Sequence, residues 1–428
     1  MAKIIKPLKG EITVPGDKSI SHRSIMLGSL ARGTTVVDNF LQGQDCICTI
    51  NGFRQMGIEI ENDREKNRVI IKGKGLHGLE KPSNAIDVGN SGTTIRLLSG
   101  ILCGQRFDSI ITGDESIKSR PMNRIISPLS QMGANIRSAN DSNLAPLRIG
   151  GQGEGFLKGI HYQSLVASAQ VKSSILFAGL YADGKTTITE PHLSRNHTEL
   201  MLDYFGAKIL QKDSTTTIWP EPELIGQEIQ VPCDISTDAY FIAGAILVPG
   251  SSLLIKNVGI NPSRDGILEV CQLMGGKIKL ENKRIWNKEE VADLYVEHSN
   301  LKGITISGSI IPRLIDELPI IAIMASFADG ETTIKDAQEL MVKESNRIEV
   351  MVNNLKTLGG DITATDDGMI IKGGKPLHGG RVESKGDHRI AMSFAIANLM
   401  TEGPVEITEK DCVNISYPSF YHDLEKLR

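Results

Sequence analysis

This sequence has few aromatic residues, no long hydrophobic run and little excess charge, and each absence excludes a class of function. Aromatic residues make up 4% of the 428 residues, too few for a base-stacking surface that binds nucleic acid. The net charge of -4 argues against a general nucleic-acid or anionic-membrane surface. The longest apolar runs, residues 241–248 and 318–328, are too short to cross a bilayer. We therefore expect no nucleic-acid and no membrane partner.

Cysteine is also scarce. The six cysteines are scattered, and only Cys46 and Cys48 lie close together. A C-x-C pair with no His or further Cys nearby is a weak metal-binding pattern, so we expect no metal site. Residues 1–10 contain three lysines and no apolar core, which does not match a secretory signal. We expect a cytoplasmic protein with reduced, buried thiols.

A short pattern recurs along the chain. A turn that leads into β-rich sequence reads Ala-Asp-Gly-Lys-Thr-Thr-Ile at 182–188 and Ala-Asp-Gly-Glu-Thr-Thr-Ile at 328–334. A second pattern, a Met, Phe or Leu followed by a glycine and a strand-like stretch, is typical of a helix that ends before a strand. Its glycines are Gly57, Gly133, Gly206, Gly275 and Gly359. With looser copies the chain contains six such units, and a repeat of this kind decides the fold.

Six α/β units predict two pseudo-symmetric lobes, each of three repeated βαβαββ-type units. We expect one lobe over 16–231 and the other over 1–15 plus 232–428, with a two-strand hinge near 15–16 and 231–232. The sixth unit lacks its last strand, which residues 4–14 are expected to supply. Ligands would bind in the cleft between the lobes, which would close on them.

The most informative segment is residues 14–24, Val-Pro-Gly-Asp-Lys-Ser-Ile-Ser-His-Arg-Ser. Strand-like residues and a Pro-Gly turn precede it, and a helix-like apolar run follows. At a helix start, free N–H groups and the helix dipole favour an anion. Lys18 and Arg23 add full charges and Ser19 adds a donor. The segment predicts an anion site in an otherwise acidic chain.

Three further segments of the first half fit the same theme. Residues 89–98 hold two glycines at a helix start, residues 114–124 form a basic loop that ends at a proline, and residues 164–174 place small polar residues at another helix start. A capped turn or a solvated loop explains each segment taken alone. Residues 194–199 are expected to be a helix cap followed by an ordinary helix surface.

The second half supplies a carboxylate and more cations. Asp316 precedes a nearly uncharged helix and is either its cap or a poised base. Lys343 and Arg347 are spaced i, i+4, which predicts one helix face, with Glu344 one step round. Arg389 begins another buried helix, where a cation opposes the helix dipole unless an anion binds there. Together the motifs predict small substrates that carry several negative charges.

Seven motifs that span nearly the whole chain in order resemble the EPSP synthase family of 3-phosphoshikimate 1-carboxyvinyltransferases. They are PGDKSISHR (15–23), GNSGTTIRLL (89–98), RPM (120–122), SAQVK (168–172), IPRLIDELP (311–319), KESNRI (343–348) and DHRIAMSFAIA (387–397). The resemblance implies the inside-out α/β barrel lobes of enolpyruvyl transferases. It also implies transfer of the enolpyruvyl group of phosphoenolpyruvate to the 5-hydroxyl of shikimate 3-phosphate, with release of phosphate, by a monomer that needs no cofactor.

The resemblance also implies roles for individual residues. Those expected to hold shikimate 3-phosphate are Lys18, Ser19, Arg23, Ser168, Gln170, Asp316 and Lys343. Those expected to hold phosphoenolpyruvate are Lys18, Gly92, Arg120, Gln170, Arg347 and Arg389. Asp316 is the expected proton acceptor for the 5-hydroxyl, Glu344 the expected proton donor to the methylene carbon, and Lys18 and Lys343 complete the catalytic set.

Two positions depart from the best-known branch of this family. Leu97 stands where that branch has proline, and Ile415 stands where it has lysine. Both features are similar to a second bacterial branch, so one contact to phosphoenolpyruvate or phosphate is absent or replaced.

Two other functions remain open on sequence. The sister transferase that acts on UDP-N-acetylglucosamine has Lys-Asn where Lys18-Ser19 stands and a reactive cysteine near Arg120, whereas residues 114–124 contain none. A non-catalytic anion-binding protein has no use for Asp316 and Glu344, because negative charges in an anion site lower affinity.

Overall fold

The chain folds as two compact units, described in a computed structural model that covers residues 5–140, 142–153, 155 and 157–428. We call Gly16–Val231 with Trp286–Glu289 the Gly16 unit, and the remaining described residues the Pro232 unit. The sequence analysis assigned residues 286–289 to the other lobe. They group with the Gly16 unit because the His197 ring lies 2.6 Å from Glu289 and Lys288 pairs with Asp203.

The helices are numbered in chain order, α1–α7 in the Gly16 unit and α8–α14 in the Pro232 unit. They are α1 (Lys18–Leu30), α2 (Gln44–Gln55), α3 (Gly92–Cys103), α4 (Glu115–Ser119), α5 (Asn123–Gln131), α6 (Ala169–Gly179), α7 (His197–Tyr204), α8 (Ile235–Leu247), α9 (Gly266–Leu273), α10 (Ile311–Leu314), α11 (Leu318–Phe327), α12 (Arg347–Thr357), α13 (His388–Met400) and α14 (Phe420–Lys426). Short 3₁₀ turns lie at Gly308–Ile310, Gln338–Val342 and Lys410–Ile415.

The strands are short and mostly four residues or so in length. They are β1 (Lys9–Ile12), β2 (Arg32–Asp38), β3 (Glu59–Asp63), β4 (Arg68–Lys74), β5 (Ile86–Asp87), β6 (Ser109–Thr112), β7 (Asn135–Ser138), β8 (Leu147–Gly150), β9 (His161–Gln163), β10 (Thr186–Thr189), β11 (Ile209–Lys212), β12 (Thr215–Ile218), β13 (Glu228–Gln230), β14 (Ser252–Gly259), β15 (Lys277–Trp286), β16 (Glu289–Glu297), β17 (Thr305–Ile306), β18 (Glu331–Ile334), β19 (Asp361–Ala364), β20 (Met369–Lys372), β21 (Gly380–Glu383) and β22 (Val405–Thr408).

The sheets repeat one strand order. In the Gly16 unit the orders are β13-β2-β4-β3, β5-β6-β8-β7 and β9-β10-β12-β11, and in the Pro232 unit they are β1-β14-β16-β15, β17-β18-β20-β19 and the two-stranded β21-β22. The first pair in each sheet is parallel. The third strand then runs antiparallel to the second in the four-stranded sheets. The six predicted α/β units are therefore present as six versions of one sheet.

We expected the first strand to complete the sixth unit, and it does not. Instead β1 pairs in parallel with β14, with Lys9 opposite Ser252, in the fourth unit. Likewise β13 pairs with β2, with Glu228 opposite Val36. Each of these strands precedes the point where the chain passes to the other unit. The expectation was wrong, because β1 belongs to the fourth sheet and the sixth sheet, within the described residues, consists of β21 and β22.

Each unit contains helices that are buried on nearly all sides. In the Gly16 unit these are α1, α3 and α6, and in the Pro232 unit α8, α11 and α13. Of these helices α11 is apolar on nearly all sides, as expected of a core helix. Helices α1 and α6 instead bury polar and charged side chains, among them Arg23 and Lys172. Among the residues described, no helix combines the length and apolar character needed to cross a bilayer.

Candidate active site

The predicted anion-binding residues of the Gly16 unit lie at the starts of its buried helices. Lys18 is the first residue of α1, Gly92 is the first residue of α3, and Ser168 caps α6. Side chains fix these starts: Asp17 accepts a hydrogen bond from the backbone N–H of Ile20 at 2.8 Å. A capped helix start holds its remaining N–H groups in place toward an incoming anion.

Arg23 is buried and held by neutral groups. Its Nε donates to the Thr198 hydroxyl at 2.6 Å, and its terminal nitrogens donate to Ser173 Oγ at 2.9 Å and to the carbonyl of Ser19 at 3.0 Å. Burial lowers the pKa of Arg23 to about 10, against the field of Glu199, which raises it. The guanidinium is therefore rigid and charged, and its close partners do not cancel that charge.

Lys18 forms an ion pair with Asp45, the second residue of α2. The Lys18 side chain keeps one fifth of its surface exposed, whereas the Asp45 side chain is nearly covered. Asp45 was not among the predicted residues, and an acid in the first turn of a helix commonly does no more than interact with the helix dipole.

Gly92 lies between two guanidinium groups. A Cβ at this position would stand 2.9 Å from Arg96 Nη1 and 3.1 Å from Arg120 Nη1. Arg120 in turn donates to Asn90 Oδ1 at 2.8 Å and to Ser116 Oγ at 2.9 Å. The absence of a side chain leaves room beside two cations at a helix start.

Gln170 connects the start of α6 to α3. Its carbonyl accepts a hydrogen bond from Arg96 at 2.5 Å, and its amide donates to the Thr93 hydroxyl at 3.1 Å. The backbone N–H of Ser168 donates to Glu190 at 3.1 Å. We call the predicted residues of this unit together with Arg96 the Lys18 cluster. Its members are Lys18, Ser19, Arg23, Gly92, Arg96, Arg120, Ser168 and Gln170.

A buried ion-pair group supports the start of α6. Lys172 lies 2.8 Å from both Glu190 and Glu199, and all three side chains are almost fully covered. Burial alone would lower the pKa of Lys172, but Glu199 and Glu190 outweigh it and raise the pKa. The expectation of an ordinary helix surface at 194–199 is wrong, because Thr198 and Glu199 face Arg23 and Lys172. A lysine inside an apolar helix was the available signal.

The Pro232 unit gathers its cations around carboxylates. Arg347 is 99% buried and donates from Nε to Asp387 at 2.8 Å, from Nη1 to Asp316 at 3.1 Å and from Nη2 to Glu344 at 2.6 Å. Burial would lower the pKa of Arg347, but these carboxylates, Asp387 first, raise it above its usual value. One guanidinium thus connects three acids.

Asp316 is not the cap of α11. That position belongs to Glu317, whose side chain makes no capping bond. Instead Asp316 lies 3.1 Å from Arg347, 3.8 Å from Arg389 and 3.9 Å from Lys343. Of the two predicted alternatives, a cap and a poised base, the cap is therefore wrong.

Lys343 and Arg347 do not share a helix face. The chain is extended at Lys343, and α12 begins only at Arg347, capped by Asn346. The i, i+4 interpretation failed because the turn that ends at Val342 is a separate 3₁₀ segment. The two cations still meet at Asp316. Burial lowers the pKa of Lys343, although Asp316 opposes the shift.

Asp387 has two functions in the structure that sequence reasoning missed. It caps α13 by accepting from the backbone N–H of Arg389 at 3.0 Å, and it holds Arg347. The aspartate was visible two residues before Arg389, but its partner lies 40 residues away. We call the group Asp316, Lys343, Glu344, Arg347, Asp387 and Arg389 the Asp316 cluster. No group of three or more His, Cys, Asp or Glu side chains suited to a metal ion occurs among the described residues.

The chain is similar over its whole length to one family. A family model described as EPSP synthase (3-phosphoshikimate 1-carboxyvinyltransferase) matches residues 2–424. A 3-phosphoshikimate 1-carboxyvinyltransferase of Thermoanaerobacter sp. (strain X514) is 56% identical over 420 residues, 98% of each chain. One of Brevibacillus brevis is 54% identical over 419 residues, 98% of this chain and 97% of the other.

Solved structures of enolpyruvyl transferases are also similar to this chain. An EPSP synthase from Acinetobacter baumannii matches with a TM-score of 0.89 and 46% identity, covering 100% of this chain and 97% of its own. The enolpyruvyl transferase NikO from Streptomyces tendae has a TM-score of 0.79 at 16% identity, covering 99% and 95% of the two chains. This second likeness concerns the α/β two-lobe fold alone.

Proposed function

Because the chain belongs to the EPSP synthase family and has 3-phosphoshikimate 1-carboxyvinyltransferase activity, we propose that its two clusters divide the work of that reaction. The enzyme acts on two small molecules, transferring the enolpyruvyl group of phosphoenolpyruvate to the 5-hydroxyl of shikimate 3-phosphate with release of phosphate. The Lys18 cluster binds anionic groups, and the Asp316 cluster moves protons.

In this proposal shikimate 3-phosphate is held chiefly by the first cluster. Lys18, Ser19 and Arg23 bind its phosphate, while Ser168 and Gln170 add phosphate and ring contacts. The support is electrostatic: Arg23 is fixed by hydroxyl and carbonyl groups, so its charge is left for an anion. Lys18 exchanges Asp45 for substrate at no change in its own charge.

Phosphoenolpyruvate carries a phosphate and a carboxylate, and needs several cations. The residues proposed for it are Lys18, Gly92, Arg120 and Gln170 in the Gly16 unit and Arg347 and Arg389 in the Pro232 unit. Arginine forks bind such oxygens two at a time. The space at Gly92, bordered by the guanidinium groups of Arg96 and Arg120, supports this assignment.

The chemistry requires one proton acceptor and one proton donor. Asp316, with Lys343, binds the 5-hydroxyl and takes its proton as the oxygen attacks C2 of phosphoenolpyruvate. Glu344 gives a proton to C3, which forms a tetrahedral intermediate. Phosphate then leaves as C3 returns a proton and the double bond re-forms. Glu344 is freed for this role when the anion takes its place on Arg347.

The observation that carries the proposal is the position of Asp316 among Lys343, Arg347 and Arg389. A pure anion binder gains nothing from an acid there. The family comparisons do not favour the UDP-N-acetylglucosamine transferase either. Phosphate release is the test: it should require shikimate 3-phosphate and phosphoenolpyruvate together. Release with UDP-N-acetylglucosamine, or none with the expected pair, would reject the proposal.

We further propose a cytoplasmic monomer without nucleic-acid or membrane partners. The net charge of -4 and the 4% aromatic content support the lack of nucleic-acid and membrane partners. Light scattering on the eluted enzyme should give a mass near the 46.5 kDa of one chain.

A further inference from the structure

A chain of buried hydrogen bonds runs between α1, α2 and α3, and none of the roles proposed above uses it. His22 Nδ1 on α1 lies 2.7 Å from the Thr49 hydroxyl on α2. That hydroxyl lies 2.8 Å from Thr94 Oγ1 on α3, which lies 2.7 Å from Ser91 Oγ. All four residues have no exposed surface. Groups so deeply buried are held by partners and not by water.

The two ends of this chain lie at the substrate-binding loops. His22 stands one turn after Lys18, and Thr49 one turn after Asp45, so their contact lies one turn below the Lys18–Asp45 ion pair. At the other end Ser91 is the N-cap of α3 and accepts from the Thr94 backbone N–H at 3.1 Å. The residue after this cap is Gly92.

We propose that His22 is a positioning residue for the phosphoenolpyruvate-binding loop at Gly92, acting through Thr49, Thr94 and Ser91. The proposal rests on the assignment of Gly92 and Arg120 to phosphoenolpyruvate made above. His22 touches no substrate in this account. It fixes the cap of α3, and the cap fixes the start of the helix that carries Arg96.

The unpaired ring nitrogen decides which nitrogen of His22 carries the proton. His22 Nε2 has no hydrogen-bond partner among the described residues. A buried N–H without an acceptor is rarer and more costly than an acceptor without a donor. The proton therefore resides on Nδ1, which donates to the Thr49 hydroxyl. Every hydroxyl hydrogen then has an acceptor if Thr49 donates to the Asp45 carbonyl at 3.4 Å, Thr94 to Thr49, and Ser91 to Thr94. Ser91 Oγ also accepts from the Thr94 backbone N–H.

The His22 ring, the one titratable group in this series of hydrogen bonds, is neutral near neutral pH. Burial, and then the nearby charge of Lys18, lower the pKa of His22 to about 3. The other charged groups near the ring are Arg23 on the same helix and Asp45 on α2. A neutral imidazole orients the loop without adding a charge to those of Lys18 and Arg23 nearby.

Two pairs of variants test the proposal kinetically. His22→Leu should raise the KM for phosphoenolpyruvate about tenfold, the cost of one buried hydrogen bond, with kcat and the KM for shikimate 3-phosphate within about twofold. His22→Asn should restore the lower KM, since its amide can place a donor near the position of Nδ1. Thr49→Val should match His22→Leu, and Thr49→Ser should match the wild type. If His22→Leu does not fold, the isosteric Thr49→Val decides.

A matched control is Ser99→Ala. Ser99 lies on α3 and is buried, and its hydroxyl donates to the Ile95 carbonyl at 2.7 Å. It takes no part in the hydrogen bonds that join His22 to Ser91. Its loss should leave the KM for phosphoenolpyruvate unchanged. Equal rises in both KM values, a wild-type KM in His22→Leu, or an asparagine variant that behaves as leucine would overturn the proposal.

A readout without substrates separates this proposal from the proposed function. In ¹⁵N-histidine NMR, the His22 signal is identified by its absence from the spectrum of His22→Asn. In the wild type this signal should show a neutral ring with its proton on Nδ1 from pH 5 to 9. A wild type that releases no phosphate would reject the function and leave this signal untouched. A signal with the proton on Nε2, or one that titrates between pH 5 and 9, would reject the proposed hydrogen bond from His22 to Thr49.

Discussion

The two clusters hold their arginines in opposite ways. In the Gly16 unit Arg23 donates to two hydroxyls and a carbonyl, all neutral. In the Pro232 unit Arg347 donates to three carboxylates. Both side chains are buried, so burial does not distinguish them.

This difference indicates what each cluster can do. Neutral partners fix a guanidinium without cancelling its charge, which leaves the charge for an incoming anion. Carboxylate partners balance the charge until an anion replaces one of them, and they couple several titratable groups, which suits proton transfer. The first arrangement is a binding device, and the second is an acid–base device.

The largest expected effect is on stability. Arg347→Met leaves three buried or half-buried carboxylates without their shared cation, and should lower the free energy of unfolding by about 3–5 kcal/mol. Arg23→Met leaves hydrogen-bond partners that are all neutral, while the nearby Glu199 keeps its ion pair with Lys172, and should cost about 1–3 kcal/mol. Urea denaturation measures both, with the exposed Lys356→Gln on α12 as the control. Equal costs for the two arginines would break the comparison.

The next effect is a pH dependence of stability that comes from His22, the neighbour of Arg23 on α1. The folded-state pKa of His22 is about 3 against an ordinary 6.5, because burial disfavours the charged ring. Between these values the unfolded chain binds a proton that the folded chain does not, so stability falls as pH falls. From pH 6.5 to 4 the wild type should lose about 3 kcal/mol more than His22→Asn. Urea denaturation at each pH gives the free energy of unfolding of both proteins. If the two proteins lose the same free energy between pH 6.5 and 4, the lowered pKa of His22 is contradicted.

A smaller effect is expected from filling the space at Gly92. In Gly92→Ala the new Cβ would press on Arg96 Nη1 at 2.9 Å and Arg120 Nη1 at 3.1 Å. If the overpacking costs about 1–3 kcal/mol of phosphoenolpyruvate binding, the KM for phosphoenolpyruvate should rise roughly five- to 150-fold. Gly184→Ala is the control, because its Cβ would meet nothing within 4 Å. An unchanged KM in Gly92→Ala would show that the space is not used.

Much of the fold could be predicted because the sequence repeats one α/β unit along its length. Glycines such as Gly57 and Gly133 have positive φ angles of 81° and 85° after a helix, which a side chain disfavours, so they mark the same turn in each unit. The pairing of β1 with β14 could not be predicted. A strand next to a repeat boundary fits either neighbour, and only packing chooses between them.

The site residues were predictable where charge stands at a helix start, as at Lys18 and Arg389. Residues that act through others were not. Asp45 and Asp387 are defined by partners distant in sequence, and no local pattern reveals them. Lys172 carried a local signal, a lysine inside an apolar helix, but its two glutamate partners could not be read from it. Lys343 was assigned to the right group for a wrong local reason, since its approach to Asp316 comes from an extended turn and not from a helix face.

The central claim is that the proton transfers belong to the Asp316 cluster, whereas the Lys18 cluster contributes by binding anionic groups. The most direct test compares Asp316→Asn with Arg120→Gln in steady-state phosphate release, with the exposed Asp366→Asn as the control. Asp316→Asn should lower kcat roughly a hundredfold or more with KM values little changed, and Arg120→Gln should chiefly raise the KM for phosphoenolpyruvate. A full kcat in Asp316→Asn, or the same pattern in both variants, would contradict the account.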